Sequence, residues 1–258
     1  MTAPALDLRQ ISVHYGFVRA LDGVSLRVES GQTVALLGDN GAGKSTLLKV
    51  MSGAHRPSGG EIRVGGDRVE FHSPADAVRA GIEMVYQDLA LVDALDASVN
   101  LTLGREPLRR GPLGWLGFVD KRRMRVQASE EVARLGVKIS SLTRPVEMLS
   151  GGQRQGIALA RAAVRVAGER GGVLLMDEPT AALGYEQKLM VRRLIENLNE
   201  QGVAIVLVTH DLPLAFECAD RMAVLNRGRK VAEVATADTD NDAIVGWITG
   251  ARVAQSDG

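Results

Sequence analysis

Three short runs of the chain are apolar almost throughout instead of at every second position: Thr33-Val34-Ala35-Leu36-Leu37, Val173-Leu174-Leu175-Met176 and Val203-Ala204-Ile205-Val206-Leu207-Val208. Strands apolar on both faces belong inside a parallel sheet covered by helices. Helical patterns come after each run, at about 44–51, 186–201 and 212–219. This alternation predicts an α/β fold. The first thirty residues and the stretch 60–71 read differently. Leu8, Val13, Val24, Leu26 and Val28 stand among polar residues, and Gly65-Gly66-Asp67 marks a tight turn. That predicts an antiparallel sheet layered on the core. A second turn at Asn226-Arg227-Gly228 predicts a late hairpin within 222–234. A mainly helical insert is expected from about residue 88, and no tandem repeat of the whole unit is present.

Composition changes this picture little. The 258 residues are 45% hydrophobic and 24% charged, enough for a substantial core without staples. Formal net charge is zero and aromatics are 3%, so neither a global field nor stacking platforms point to nucleic acid. The single cysteine, Cys218, sits in an apolar run and reads as a small buried hydrophobe. The start of the chain lacks the pattern of a signal peptide, and no run has the length of a membrane-spanning helix. A soluble protein is expected. Residues 107–119 place Leu113, Trp115, Leu116 and Phe118 among glycines. The favoured reading is a loop packed on its own insert; the alternative is a contact with a membrane partner. Lys121-Arg122-Arg123-Met124-Arg125 is expected to open a helix with a solvated face.

Candidate chemistry begins at Gly38-Asp39-Asn40-Gly41-Ala42-Gly43-Lys44-Ser45, the pattern Gly-x4-Gly-Lys-Ser/Thr between a predicted strand and a predicted helix. Glycines let the backbone wrap phosphate oxygens closely, and the helix start favours negative charge. Lys44 is expected to reach the β- and γ-phosphates, and Ser45 to offer a hydroxyl to Mg²⁺. The motif alone does not choose among kinases, GTPases and motors. A second element, Val173-Leu174-Leu175-Met176-Asp177-Glu178-Pro179, ends a buried strand in two carboxylates. Asp177 at its tip suits Mg²⁺ through the water shell. Glu178, expected to face away from Asp177, suits activation of a water.

The third element is Leu149-Ser150-Gly151-Gly152-Gln153 ahead of a helical pattern that starts with Arg154. Ser150 and Gln153 have the spacing of a capping box, so a helix begins here. Leu-Ser-Gly-Gly-Gln between a P-loop and Met-Asp-Glu-Pro resembles the signature of the ATP-binding cassette (ABC) ATPases, over almost the whole chain. The resemblance implies a P-loop NTPase core with an antiparallel β subdomain and an inserted helical subdomain. Its boundaries would be a core at about 1–87 and 157–250, an insert at about 88–156, and a disordered tail at 251–258. It further implies ATP and Mg²⁺ as ligands, with Thr46 joining residues 38–45 at the phosphates. Tyr15 looks like the aromatic that stacks on adenine. Gln87 looks like the glutamine that senses Mg²⁺ and the lytic water. His210 looks like the switch histidine at the γ-phosphate. Singly, each has a plainer reading: Tyr15 as core, Gln87 as a solvated amide, His210 as a satisfied strand-end histidine.

In that family the cradle and Asp177 of one subunit hold ATP while the partner's signature serine and glycines, here Ser150, Gly151 and Gly152 with Gln153, close over it. A second copy of the chain and membrane-spanning permease subunits are therefore implied partners, at the cytoplasmic face of the membrane. One departure is Gly184, where the family usually has Asp after Ala-Ala-Leu. Strings at 81–91, 100–106 and 117–120 resemble the simple-sugar importers, whose sugar is delivered by a separate binding protein. Many of those carry two fused cassettes, and this chain has one. A non-transport ABC ATPase acting on ribosomes or DNA, and a small-molecule kinase, are the remaining alternatives.

Overall fold

The structure is a computed structural model that describes residues 3–86, 88–167, 172–180 and 183–252. The elements run in the order β1 (Leu6–Tyr15), β2 (Val18–Val28), β3 (Thr33–Gly38), α1 (Lys44–Met51), β4 (Gly59–Val64), β5 (Asp67–Val69), α2 (Pro74–Arg79) and β6 (Ile82–Val85). The insert carries α3 (Ala97–Thr102), α4 (Pro112–Trp115) and α5 (Lys121–Arg134). The chain returns through α6 (Gly151–Val166), β7 (Val173–Asp177), α7 (Tyr185–Glu200), β8 (Ala204–Val208), α8 (Leu212–Cys218), β9 (Arg221–Asn226), β10 (Arg229–Ala235) and α9 (Asn241–Thr249).

The strands form two sheets. One is mixed, in the order β10-β9-β3-β8-β7-β6; the other is antiparallel, in the order β2-β1-β4-β5. In the mixed sheet only β10 runs antiparallel, paired to β9 through the late hairpin. The runs that read as apolar on both faces are its centre, and burial explains why. Val34 and Leu36 of β3, Val173 and Leu175 of β7, and Val206 and Val208 of β8 face the layer made by the antiparallel sheet and α1. The alternate residues Leu174, Met176, Ile205 and Leu207 face α6, α7 and the insert. Ala35 and Leu37 meet α8 and α9. Burying a side chain of this size contributes about 1.5–3 kcal/mol, so both faces of each strand are committed to the core.

The insert docks on the same core. Met124, Ala128 and Val132 form one stripe of α5, and Ala128 and Val132 join the cluster that covers Leu174 and Met176. Asp96 caps α3 by accepting from Val99 N at 2.9 Å. Buried Asn100 ties down the preceding segment, its Oδ1 accepting from Val92 N at 2.8 Å and its Nδ2 donating to Val92 O at 3.0 Å. Cys218 is buried and its thiol is pushed up to about 12, first by desolvation, as a packing residue should be.

One expectation is overturned. Residues 107–119 do not pack on the insert: Trp115 is 95% exposed and Leu116 74%, with Leu108, Leu113 and Phe118 exposed beside them. Gly111 and Gly117, at φ 73° and 81°, serve turns within the loop itself.

Candidate active site

The parallel strands end along one edge, and the site is built from the segments that leave them there. Register aligns Leu36 of β3 with Val208 of β8, and Val208 with Asp177 of β7. The P-loop after β3, the two carboxylates at the end of β7, and His210 after β8 therefore share that edge, the usual ligand side of an open α/β sheet.

The P-loop shape depends on glycine at both ends. Gly38 has φ 149°, and a Cβ there would lie 2.4 Å from Leu225 O. Gly43, the N-cap of α1, has φ 107° and would place a Cβ 2.9 Å from Ala20 O. No side chain caps α1, so its first amides are free to meet a ligand. The loop is fastened from behind. Lys44 Nζ donates to Gly38 O at 2.7 Å and to Asp39 O at 3.0 Å. Gly228 N donates to Ala42 O at 2.9 Å, and Asp22 N to Gly228 O at 2.8 Å. A hollow of about 400 Å³ over the loop is lined by residues 39–46 with Val18, Arg19, Ala20, Arg227 and Gly228. These last residues were not anticipated. They come from β2 and the β9–β10 turn, and nothing in the sequence ties either segment to the P-loop.

Beside the loop, burial and charge compete. Desolvation holds Lys44 below the ordinary lysine range, against the pull of Glu178, Asp39 and Asp177. Desolvation also raises the carboxyl of Asp177, with Glu178 adding to the rise and Lys44 opposing it. Both members of the pair are pushed toward neutrality, so burial outweighs their mutual attraction. A cation beside Asp177 and an anion beside Lys44 would relieve both. Among the described residues no three His, Cys, Asp or Glu cluster as a metal site. The donors present, one carboxylate and the Ser45 hydroxyl, suit Mg²⁺, which keeps waters and takes phosphate oxygens.

Glu178 does not continue the strand. The expectation that it faces away from Asp177 came from strand alternation, but β7 ends at Asp177 and Glu178 adopts φ 50°. Such a backbone costs a non-glycine residue of order 1 kcal/mol. It is held by a bond from Glu178 N to Val208 O of 2.9 Å. The turn brings Glu178 close enough to act electrostatically on both Asp177 and Lys44. Its Oε2 lies 2.9 Å from His210 Nδ1. His210 is 77% exposed and Glu178 16%, so the pair joins a sheltered carboxylate to an imidazole at the rim.

The other expected residues lie apart. Ser150 caps α6, its Oγ accepting from Gln153 N at 3.4 Å. Only half of the capping box forms, because Gln153 Oε1 instead accepts from Ser140 Oγ at 3.2 Å. Residues 150–153 do not line the P-loop hollow; Ser150 and Gly151 are exposed. Gly152 lies against Gln187 of α7, whose Cγ would be 2.5 Å from a Cβ there. Helix α6 itself reaches that sheet edge through Gln155 Nε2, which donates to Pro179 O at 3.0 Å. Tyr15 also stands outside the hollow, its ring centroid 4.9 Å from that of His55. Gln87, Ala181, Ala182 and the tail from 253 lie outside the described residues.

The family profile described as ABC transporter matches residues 21–181. The chain belongs to the ABC transporter family. Within it, this cassette is 43% identical over 251 residues to the fructose import ATP-binding protein FrcA of Rhizobium meliloti, covering 96% of this chain and 95% of that one. It is 40% identical to the xylose/arabinose import ATP-binding protein XylG of Sulfolobus acidocaldarius, at 95% and 93% coverage. It matches the ribose import ATP-binding protein RbsA 1 of Rubrobacter xylanophilus at 40% identity, covering 97% of this chain and 48% of that protein. The ABC cassette thus spans about half of that relative's length. Among solved structures, the dimeric bacterial ABC transporter cassette MJ0796 superposes with a TM-score of 0.74 at 26% identity, covering 90% of this chain and 98% of its own. The cassette MJ1267 in its ADP conformation gives 0.79 at 23% identity, with 98% and 97% covered, a likeness of fold. The P-loop NTPase architecture with its antiparallel subdomain and helical insert is that of the ABC ATPase cassettes.

Proposed function

We propose that this chain is the ATP-hydrolysing subunit of an importer for a simple sugar, working as a pair of cassettes that share ATP. The observation that carries the reading is the single sheet edge holding Lys44, Asp177, Glu178 and His210 together, with the Glu178–His210 contact at 2.9 Å. The uncapped amides of residues 38–46 and the Lys44 ammonium cradle the phosphates, and Tyr15 stacks on the adenine. Ser45, Asp177 and Gln87 hold Mg²⁺, which when bound offsets phosphate charge. Glu178 orients and deprotonates the attacking water, a role contributing about 10²–10⁴ in rate. His210 fixes the Glu178 carboxylate and meets the γ-phosphate at the rim.

Ser150, Gly151, Gly152 and Gln153 complete the site of a second copy. The exposure of Ser150 and Gly151 at the start of α6 supports this, as does the dimer formed by MJ0796. ATP then stabilises the pair only while its γ-phosphate bridges both surfaces, and hydrolysis reopens it. The core, about 1–87 and 157–250, performs this chemistry; the insert, about 88–156, docks on permease subunits at the cytoplasmic face. A separate sugar-binding protein supplies the substrate. The import functions named for the relatives support the sugar assignment. Among the described residues no helix is long and apolar enough to cross a membrane, so crossing falls to the permease.

The test is to co-purify the chain with its permease, reconstitute both in proteoliposomes and measure ATP-dependent uptake of labelled fructose, xylose and ribose. Uptake of one sugar with matched phosphate release is expected. Formation of a phosphorylated sugar in place of transport would sink the reading.

A further inference from the structure

The loop from 107 to 119 has the construction of something meant to leave water. Leu108 and Val119 pair as an antiparallel bridge at its neck. Arg109 N donates to Phe118 O at 2.8 Å, Asp120 N to Pro107 O at 2.7 Å, and Phe118 N to Leu113 O at 3.0 Å. Four-residue α4 folds the tip, opening on Pro112, which has no amide hydrogen. These backbone groups are thus satisfied within the loop, the condition for entering an apolar medium at low cost. Held outward on this frame are Leu108, Leu113, Trp115, Leu116 and Phe118, with Trp115 95% exposed. Apolar clusters of this kind on a soluble surface mark interaction sites.

Charge around the tip is predominantly positive although the whole chain is neutral. Arg109, Arg110, Lys121, Arg122, Arg123 and Arg125 are all exposed. Among the described residues none of them forms an ion pair, whereas seventeen other contacts of that kind occur. The two carboxylates nearby are engaged with backbone: Asp120 Oδ1 accepts from Arg123 N at 3.0 Å, and Glu106 Oε1 from Gly104 N at 3.0 Å. Between the loop and α5 lies an open hollow of about 830 Å³, where Arg109, Lys121, Arg122 and Arg125 outnumber the one carboxylate, Asp120, beside Phe118, Val119 and Val126.

We propose that this loop is a membrane-surface anchor: Trp115 and Leu116 enter the headgroup region of a bilayer, and the surrounding arginines and lysine bind anionic phospholipid headgroups. The chemistry is that of interfacial anchoring, an aromatic and aliphatic tip at the polar–apolar boundary with cations on its rim. A protein groove receiving this tip would need carboxylates placed against each cation. An anionic bilayer supplies the counter-charge at every angle of approach. The anchor acts on the chain by itself, with or without ATP, and so stands apart from the nucleotide assignments.

Flotation of the purified chain with phosphatidylcholine vesicles, with and without added phosphatidylglycerol, tests this. Binding to the anionic vesicles is expected, weakening as salt screens the charges. W115S/L116S should lower the partition coefficient about tenfold or more. R122Q and R125Q should each lower it about fivefold, the value of one basic residue at an anionic surface. In a W247F background the emission of Trp115 should shift to the blue on binding. ATP turnover should be unchanged in W115S/L116S, R122Q and R125Q, because the side chains altered at the loop and α5 are exposed. Absence of binding to anionic vesicles, or binding that W115S/L116S leaves intact, overturns the proposal. So does protection of the loop only when a membrane-spanning protein is co-purified, which would assign the tip to protein.

Discussion

Helices α1 and α6 both begin in glycine-rich turns, yet their first turns are finished in opposite ways. At α1 the N-cap is Gly43 in a left-handed conformation without a side-chain cap, and the loop before it is tied from behind by Lys44 and by Gly228. Its amides are left for a ligand, and the fold itself supplies the walls. At α6 the N-cap is Ser150, whose hydroxyl already accepts from Gln153 N, and the turn opens to solvent at Ser150 and Gly151. In the proposed function the first helix start is the half of the site that the fold walls in, and the second is completed only by the surface of another copy. On that reading the difference separates what binding requires from what turnover requires.

Substitutions at the two helix starts and at the carboxylates between them test that separation. The largest effect is expected from Glu178→Gln, which keeps the loop and Asp177 while removing the base. Phosphate release should fall by about 10²–10⁴, and ATP should now trap a dimer visible by light scattering. Near-normal release would remove Glu178 from its role. Lys44→Ala attacks the enclosed helix start, and calorimetry should show ATP affinity lower by about 10- to 100-fold, the value of one charge-assisted hydrogen bond. Unchanged affinity would mean that the hollow over residues 39–46 is not the phosphate site.

Ser150→Ala addresses the open helix start. Turnover should drop about tenfold while ATP binding to the single chain is unaltered, with about 1 kcal/mol of stability lost with the cap. A parallel loss of binding would contradict the division into two half-sites. The smallest effect is one on stability and concerns Asp177, whose carboxyl is raised by burial and by Glu178. A raised acid favours its protonated form in the folded state. Its cost to stability is therefore absent below the unfolded pKa, grows as pH rises toward the folded pKa, and is full above it. Asp177→Asn should thus melt about 2 °C higher than the parent at neutral pH, with no difference in acid and with turnover lost. Equal melting points at neutral pH would show that the carboxylate is not strained by burial.

Local chemistry was readable wherever the chain carries a motif in one piece. Gly38 to Ser45 declared both its turn and its helix, and α1 begins at Lys44 as the pattern requires. Short runs apolar on both faces, each followed by a helical pattern, declared buried parallel strands. Alternation does not reach Glu178, since the strand stops one residue earlier and the backbone there is left-handed. Apolar character misled at Trp115, because it states what a side chain gains from burial and not whether the fold provides it. Val18, Arg19 and Arg227 escaped notice at the P-loop for a different reason: they reach it from strands distant in sequence.

The phosphate loop, the acidic strand end, the capped signature helix and the alternation of strands and helices are written into the order of residues, because each depends on neighbours within a few positions. Three features are not: the strand order that aligns Leu36, Val208 and Asp177, the 2.9 Å approach of His210 to Glu178, and the outward display of Trp115. These arise in the packed molecule, from which distant surfaces come together. That choice is made by the burial of whole sheet faces, and no short window of residues contains it.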